Sequence, residues 1–290
     1  FTGNYLTVED DKEPSCGGAF YIETDSAVVV KSSTFARNAN TSFGGAICIN
    51  MQNWLLLNNV DLLANSADIG GGAMTSVGSN SVYLVDVNVN GNKAGAGGGG
   101  FFLDGQDTYV YYSNVLLQDN IAGGYGGALL YTEAFSMNVS NEAGSSVVIN
   151  HSQSNFGSAI ALFDVPVGSS SQGPRGIANS MGVIDIQNNN ASYGATVYWQ
   201  YSSGSTFEEP SELSEYNIMF GPNNIAPYGV KYGTQQYSIE ITQQYTVEVY
   251  DNVLSPFIDA TYKDYYNQRV VSDDYSTITF SSSNTTGCFD

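Results

Sequence analysis

The chain has 28 Asp and Glu that could serve acid–base or metal chemistry, but only eight Lys and Arg and one His accompany them, and no repeated cluster combines them. The one histidine, His151, sits in Asn150-His151-Ser152, where a turn or surface role is expected. Asp86, Asn88, Asn90 and Gly91 reproduce the opening spacing of an EF-hand calcium loop, in which alternate positions supply oxygen ligands. The twelfth position is Gly97 instead of the required Glu, and no flanking helix is evident. The simpler expectation is a strand with Val85, Val87 and Val89 inward and the polar residues outward. No catalytic residue, metal ligand or cofactor is assigned.

Covalent chemistry has more candidates. Asn40, Asn138, Asn150, Asn190 and Asn284 each open an Asn-x-Ser/Thr sequence, the acceptor for N-linked glycans on a secretory route. The cysteines are Cys16, Cys48 and Cys288. An odd count in a secreted chain points to a free thiol or an intermolecular bond. Cys16 falls level with Phe43, not Cys48, once the repeats below are superposed. Direct ladder pairing is therefore not indicated, although turns bring offset positions together, and Cys48 is expected as a buried thiol. Tyrosine is abundant, with 21 residues including Tyr111-Tyr112 and Tyr265-Tyr266. Exposed aromatic rows stack on sugar rings or pack between subunits, while strands favour Tyr in any case.

The elements that position these residues are repeats. Over 35–131 one pattern recurs four times, a motif ending in Asn followed by paired glycines and an apolar pair. The asparagines Asn38, Asn65, Asn92 and Asn120 step by 27, 27 and 28 residues. The glycine pairs, taken to start at Gly44, Gly71, Gly99 and Gly126, put Gly45, Gly72, Gly100 and Gly127 in one column. The small-residue column then reads Ala19, Ala46, Ala73, Phe101 and Ala128, and the next reads Phe20, Ile47, Met74, Phe102 and Leu129. A fixed period of this length marks a stacked-repeat architecture. Short apolar runs such as Leu55-Leu56-Leu57 and alternating ones such as 85–89 are strands, not helices. Three strands and their turns fit one coil at about 3.3 Å per residue. The fold expected is all-β, a right-handed parallel β-helix over 1–235 with coils of about 27 residues. One coil buries too little apolar surface to offset ordering its backbone at roughly 1–2 kcal/mol per residue, so neighbours must share burial. The asparagines are expected to stack at a turn and the glycines to form a tight corner.

Phe35-Ala36-Arg37-Asn38 followed by Gly44-Gly45-Ala46-Ile47 resembles the Phe-x-x-Asn and Gly-Gly-Ala-Ile repeat of chlamydial polymorphic outer membrane proteins and related surface proteins of microbial eukaryotes. The resemblance covers roughly 1–235, with Leu or Val replacing the Phe in other coils. It implies a pectin-lyase-like β-helix on an extracellular surface, with adhesive or structural roles and no catalytic set. Residues 236–290 alternate as half-buried strands around the turn 264–268. They resemble part of an immunoglobulin-like surface domain, too short for a full sandwich. Lyases and polygalacturonases also use the β-helix. They need clustered Asp with basic residues, whereas Arg37, Arg175 and Arg269 and five lysines here stand apart from any repeated acidic cluster.

A net charge of −20 with eight Lys and Arg argues against nucleic acid and anionic membrane as partners. No apolar run approaches 18 residues, so no membrane span is expected. Insertions rich in Ser and Gly at 167–175 and 202–215 read as loops, sites for binding or simply tolerated additions. Phe1 falls mid-coil and Asp290 mid-sandwich, which predicts subunits joined head to tail. The expected protein is a non-enzymatic extracellular or cell-surface fibre, appendage or coat. An adhesin for glycan or receptor is the alternative, and a polysaccharide lyase or hydrolase the third reading.

Overall fold

A computed structural model describes residues 1–4, 15–39, 41–105, 108–132, 135–139, 145–163, 168–170, 173–177, 182–200, 218–241, 249–250, 253–254 and 260–270. These residues are all-β, without a helix, and three parallel sheets wrap them into a β-solenoid. The first sheet stacks Phe20–Ile22, Ile47–Ile49, Met74–Val77, Phe101–Asp104, Leu129–Thr132, Ile160–Phe163, Val197–Gln200 and Tyr232–Thr234. Its strands begin 27, 27, 27 and 28 residues apart as far as Leu129, then 31, 37 and 35 apart. The second sheet carries the long strands Ala27–Ala36, Trp54–Leu63, Ser81–Asn90 and Thr108–Gln118, continued by Ser146–Asn150, Val183–Gln187 and Ile218–Phe220. The third is formed by short strands from Thr41–Phe43 to Asn190–Ala191.

Each long strand bends at one residue in the left-handed region, Ser32, Asn59, Asp86 or Asn114. That bend reverses the alternation. Leu84 and Val87 are both buried, and Val85 and Asp86 between them face outward. Val85 was expected inside, and the corner at Asp86 is what turns it out. Val87 and Val89 are buried as expected, in a core that runs through every coil and includes Phe35, Leu62, Val89, Leu117, Ile149 and Ile186. The core also holds one polar pair. Tyr112 and Tyr131 hydrogen-bond to each other through their hydroxyls, and burial raises both phenol pKa values well above normal.

Register moves the fourth coil of the expected ladders by one place. Phe101 pairs with Met74 and Leu129, so Gly100 occupies the small-residue column and Phe101 the apolar ladder. The Gly100 and Phe102 assignments are corrected accordingly. Gly98 is the left-handed corner glycine, at φ 64°, matching Gly44, Gly71 and Gly126 at 59°, 65° and 63°. Gly99, not Gly100, therefore stands level with Gly45, Gly72 and Gly127. The uninterrupted run Gly97-Gly98-Gly99-Gly100 offers no side chain to set the register.

The insertion at 167–175 was expected as a loop. Its described part is an antiparallel pair, Gly168–Ser170 with Gly173–Ile177, and the second strand extends a parallel ladder from Phe135–Val139. The insertion at 202–215 lies outside the described residues. Beyond the last coil, Gln236–Ile241 pairs antiparallel with Ala260–Asp264, and Val249–Tyr250 with Val253–Leu254. The turn expected at 264–268 is present, closed by Asp264 N–H to Gln268 C=O at 3.0 Å, with Asn267 left-handed. This segment docks on the final rung. The N–H of Thr234 donates to the Asp264 carboxyl at 3.3 Å, Tyr265 N–H donates to Thr234 Oγ1 at 2.9 Å, and Tyr266 packs against the core. Asp264 is 1% exposed, and its burial raises the carboxyl pKa against the pull of N–H donors from Gln268 and Thr234.

Candidate functional site

The repeated asparagines form a continuous buried ladder. Asn38 donates to Asn65 Oδ1 from its backbone N–H at 3.0 Å and from Nδ2 at 2.9 Å. Asn65 bonds Asn92, and Asn92 bonds Asn120, in the same two ways. The Nδ2 of Asn65, Asn92 and Asn120 also reaches a carbonyl one coil away, such as Asn92 to Leu62 at 2.9 Å. The ladder extends past the four expected residues. Asn4 joins it at one end, and Asn189 and Asn224 at the other. The preceding residue is left-handed in each coil: Gly3, Arg37, Ala64, Gly91, Asp119, His151, Asn188 and Asn223. His151 is thus an exposed turn residue. A second, shorter ladder runs from Ser26 to Asn53 to Asn80, with both N–H donors at 2.8 Å from an asparagine Oδ1. Its signal, two asparagines 27 apart, was legible but overlooked.

Ser152 interrupts the long ladder. It is fully buried and its Oγ has no hydrogen-bond partner, though its N–H still donates to Asn189 Oδ1 at 2.8 Å. Ser152→Asn should add the missing amide and raise stability by about 1–2 kcal/mol. Thermal melting reads this, and a lowered melting temperature would show that the rung has no room for the amide. The same change removes the acceptor sequence at Asn150.

Cys16 and Cys48 form a disulfide, with Cα atoms 5.6 Å apart. The free-thiol expectation for Cys48 is corrected. Cys16 does lie level with Phe43, but the contact is diagonal. The column Cys16, Phe43, Gly70, Gly97, Tyr125 and Phe156 faces the column Cys48, Thr75, Phe102, Leu130, Ala161 and Tyr198 one coil further on. A Cβ on Gly70 would lie 2.9 Å from the Phe102 ring, and one on Gly97 2.3 Å from Leu130 Cδ2. Phe156 and Tyr198 meet at 5.1 Å. The disulfide is one member of this diagonal series, and superposing repeats compares only level positions. Cys288 lies outside the described residues. Closing a loop of 32 residues should contribute about 3–4 kcal/mol. Reduction should therefore speed amide exchange in Phe20–Ile22 and Ile47–Ile49, and unchanged exchange there would count against such a staple.

Of the glycan acceptors, Asn190 is exposed in the third sheet. Asn150 is half-buried, and its Oδ1 accepts from Asn188 Nδ2 at 2.9 Å. Asn138 lies on the strand Phe135–Val139, while Asn40 and Asn284 fall outside the described residues. The calcium-like spacing does not close into a site. Asp86 sits at a corner accepting from Asn114 Nδ2 at 2.7 Å, Asn88 donates to Asp61 at 3.1 Å, and no group of three His, Cys, Asp or Glu suited to a metal occurs among the described residues. No described helix is long and apolar enough to cross a membrane.

The outward face of the second sheet carries the most distinctive surface feature. Tyr83 lies 5.5 Å from Trp54, 5.8 Å from Tyr109 and 5.8 Å from Tyr111, ring centre to ring centre. Register places these rings on three successive coils. Nothing in the core requires them, since the inward positions hold Leu55, Leu57, Val82 and Val110.

No family model, curated protein or solved structure matches the chain.

Proposed function

We propose that this chain is a non-enzymatic structural segment of an extracellular or cell-surface fibre, appendage or coat. The observation that carries the reading is the buried amide ladder. The polar residues that the sequence repeats are consumed in holding one coil to the next, not presented to a substrate. The repeat's resemblance to those of surface proteins supports the same reading. So does the Cys16–Cys48 disulfide, a bond typical of oxidising compartments. Asn190 gives such a protein an exposed glycan acceptor.

Self-association end to end is part of the proposal. Among the described residues, the strand Ala27–Ala36 pairs fully with Trp54–Leu63 on one side, and only Thr2 bridges Ala36 on the other. Val29 on that strand is 51% exposed. An exposed apolar side chain on this strand is a contact that a second copy can bury. Negative-stain imaging over a concentration series is the test. Filaments that disappear in Val29→Lys are expected, and isolated rods at every concentration would reject the fibre and favour the adhesin reading, for which the aromatic face is the supporting observation.

A further inference from the structure

We infer that the outward face of the second sheet, centred on Tyr83, binds a neutral polysaccharide laid along the solenoid axis. Parallel register makes this face a set of straight columns. Val29, Leu56, Tyr83 and Tyr111 form one, and Ala27, Trp54, Ser81 and Tyr109 the next. Coils about 4.8 Å apart therefore present apolar plates at regular intervals in one direction. A polymer of identical sugar units running along the axis matches that arrangement, because every unit meets the next plate in a similar way. Trp54 is 37% exposed and Val29 51%, so the strip is open.

The chemistry around the rings suits sugars. Aromatic faces take the C–H surface of a sugar ring, while groups at their edges meet hydroxyls. The strip is bordered on one side by Lys31 and Asn58 and by the corner Ser32, Asn59, Asp86 and Asn114, mostly neutral donors and acceptors with one cation and one anion among them. Asn59 and Asn114 occupy the exposed left-handed corner, where each Nδ2 is held by a neighbour, Ser32 Oγ and Asp86 Oδ1. Charge selects among ligands. Lys31 and Asp86 offset each other along the border, and the net charge of −20 on the chain repels a polyanionic glycan. A second copy docking here through the same face would bring Asp86 toward its own counterpart. A neutral chain meets neither obstacle. This inference concerns the side of the rod and the fibre proposal its end; they share Val29 alone, and the variants used below, at Trp54 and Tyr83, lie outside the end strand.

The test is affinity electrophoresis of the full chain through gels containing mannan, soluble β-glucan, galactan or xylan, with polygalacturonate as the polyanionic probe. Retardation by at least one neutral polymer is expected, weakened about tenfold by Trp54→Ser and by Tyr83→Ala. Tyr21→Ala, which removes an exposed ring from the first sheet, should leave retardation unchanged, and Tyr83→Phe should retain most of it. Trp54 is a partly exposed surface residue, so its variant reports on binding even if Tyr83→Ala folds poorly. Absence of retardation by every neutral polymer would overturn the proposal. So would equal retardation of the Trp54 and Tyr21 variants, or preference for polygalacturonate. A sedimentation change in Trp54→Ser without loss of retardation would assign the face to self-contact instead.

Discussion

Asn92→Ala should destabilise the solenoid by about 4 kcal/mol. Asn92 is fully buried, and its amide makes four bonds. Its Oδ1 accepts from the Asn65 N–H at 2.9 Å and from Asn65 Nδ2 at 3.0 Å, and its Nδ2 donates to Leu62 C=O at 2.9 Å and Asn120 Oδ1 at 3.0 Å. Asn65 Nδ2 keeps a bond to Phe35 C=O and Asn120 Oδ1 keeps one from the Asn92 N–H. The Asn65 N–H loses its partner and stays buried, while Leu62 C=O loses the amide and keeps its place in the paired strand. The orphaned N–H costs roughly 1–3 kcal/mol, and the other lost bonds and the small cavity add to this. Asn59→Ala, on an exposed left-handed corner, should cost only about 1 kcal/mol, the backbone penalty of Ala there. Urea melts of the two variants make the comparison. Equal midpoints would show that the ladder is incidental to stability.

Gly72→Ala should destabilise the solenoid more than any other change considered. A Cβ there would stand 2.2 Å from the Gly99 oxygen and 2.5 Å from the Lys93 oxygen. Both are backbone atoms of the next coil, so neither swings aside, and the coils would have to separate where Gly72 N–H meets Gly98 C=O at 3.0 Å. A penalty above about 4 kcal/mol follows. Gly91→Ala is the informative contrast. Gly91 is left-handed at φ 67° with nothing within 4 Å of its would-be Cβ, and the level position one coil earlier is Ala64 at φ 52°. Its cost should be about 1–2 kcal/mol, the left-handed penalty alone. Circular dichroism and soluble yield separate the outcomes, and a well-folded Gly72→Ala would mean that the corner is looser than its geometry.

Much of the solenoid could be read from residue types. Asn38, Asn65, Asn92 and Asn120 recur on a 27- to 28-residue step because one amide per coil closes a turn and bonds the next. What escaped reading has local physical causes. Gly97 to Gly100 carries no side chain to fix register, so the ladder slipped by one there. The disulfide joins positions that are offset by a coil and a turn, which superposed repeats do not bring together. Asp86 reads as one more residue of an alternating strand, and its left-handed backbone, which turns Val85 outward, has no sequence mark beyond an Asp at a corner. Asn189 was obscured by the triplet Asn188-Asn189-Asn190, of which only the middle residue enters the ladder. The aromatic face depended on register as well, since Trp54, Tyr83 and Tyr109 are far apart in the chain and meet only when the coils stack.

The left-handed corners carry a consequence for how such a rod diversifies. At the residue before each ladder position, Ser152 included, the chain holds Gly, Arg, Ala, Asp, His or Asn in the same left-handed backbone. Structural information is confined to the amide behind that position, so the position itself is free to vary. One axial line of the exterior can thus be rewritten, charge by charge, while the interior stays fixed. The molecule separates what makes it stand from what it shows.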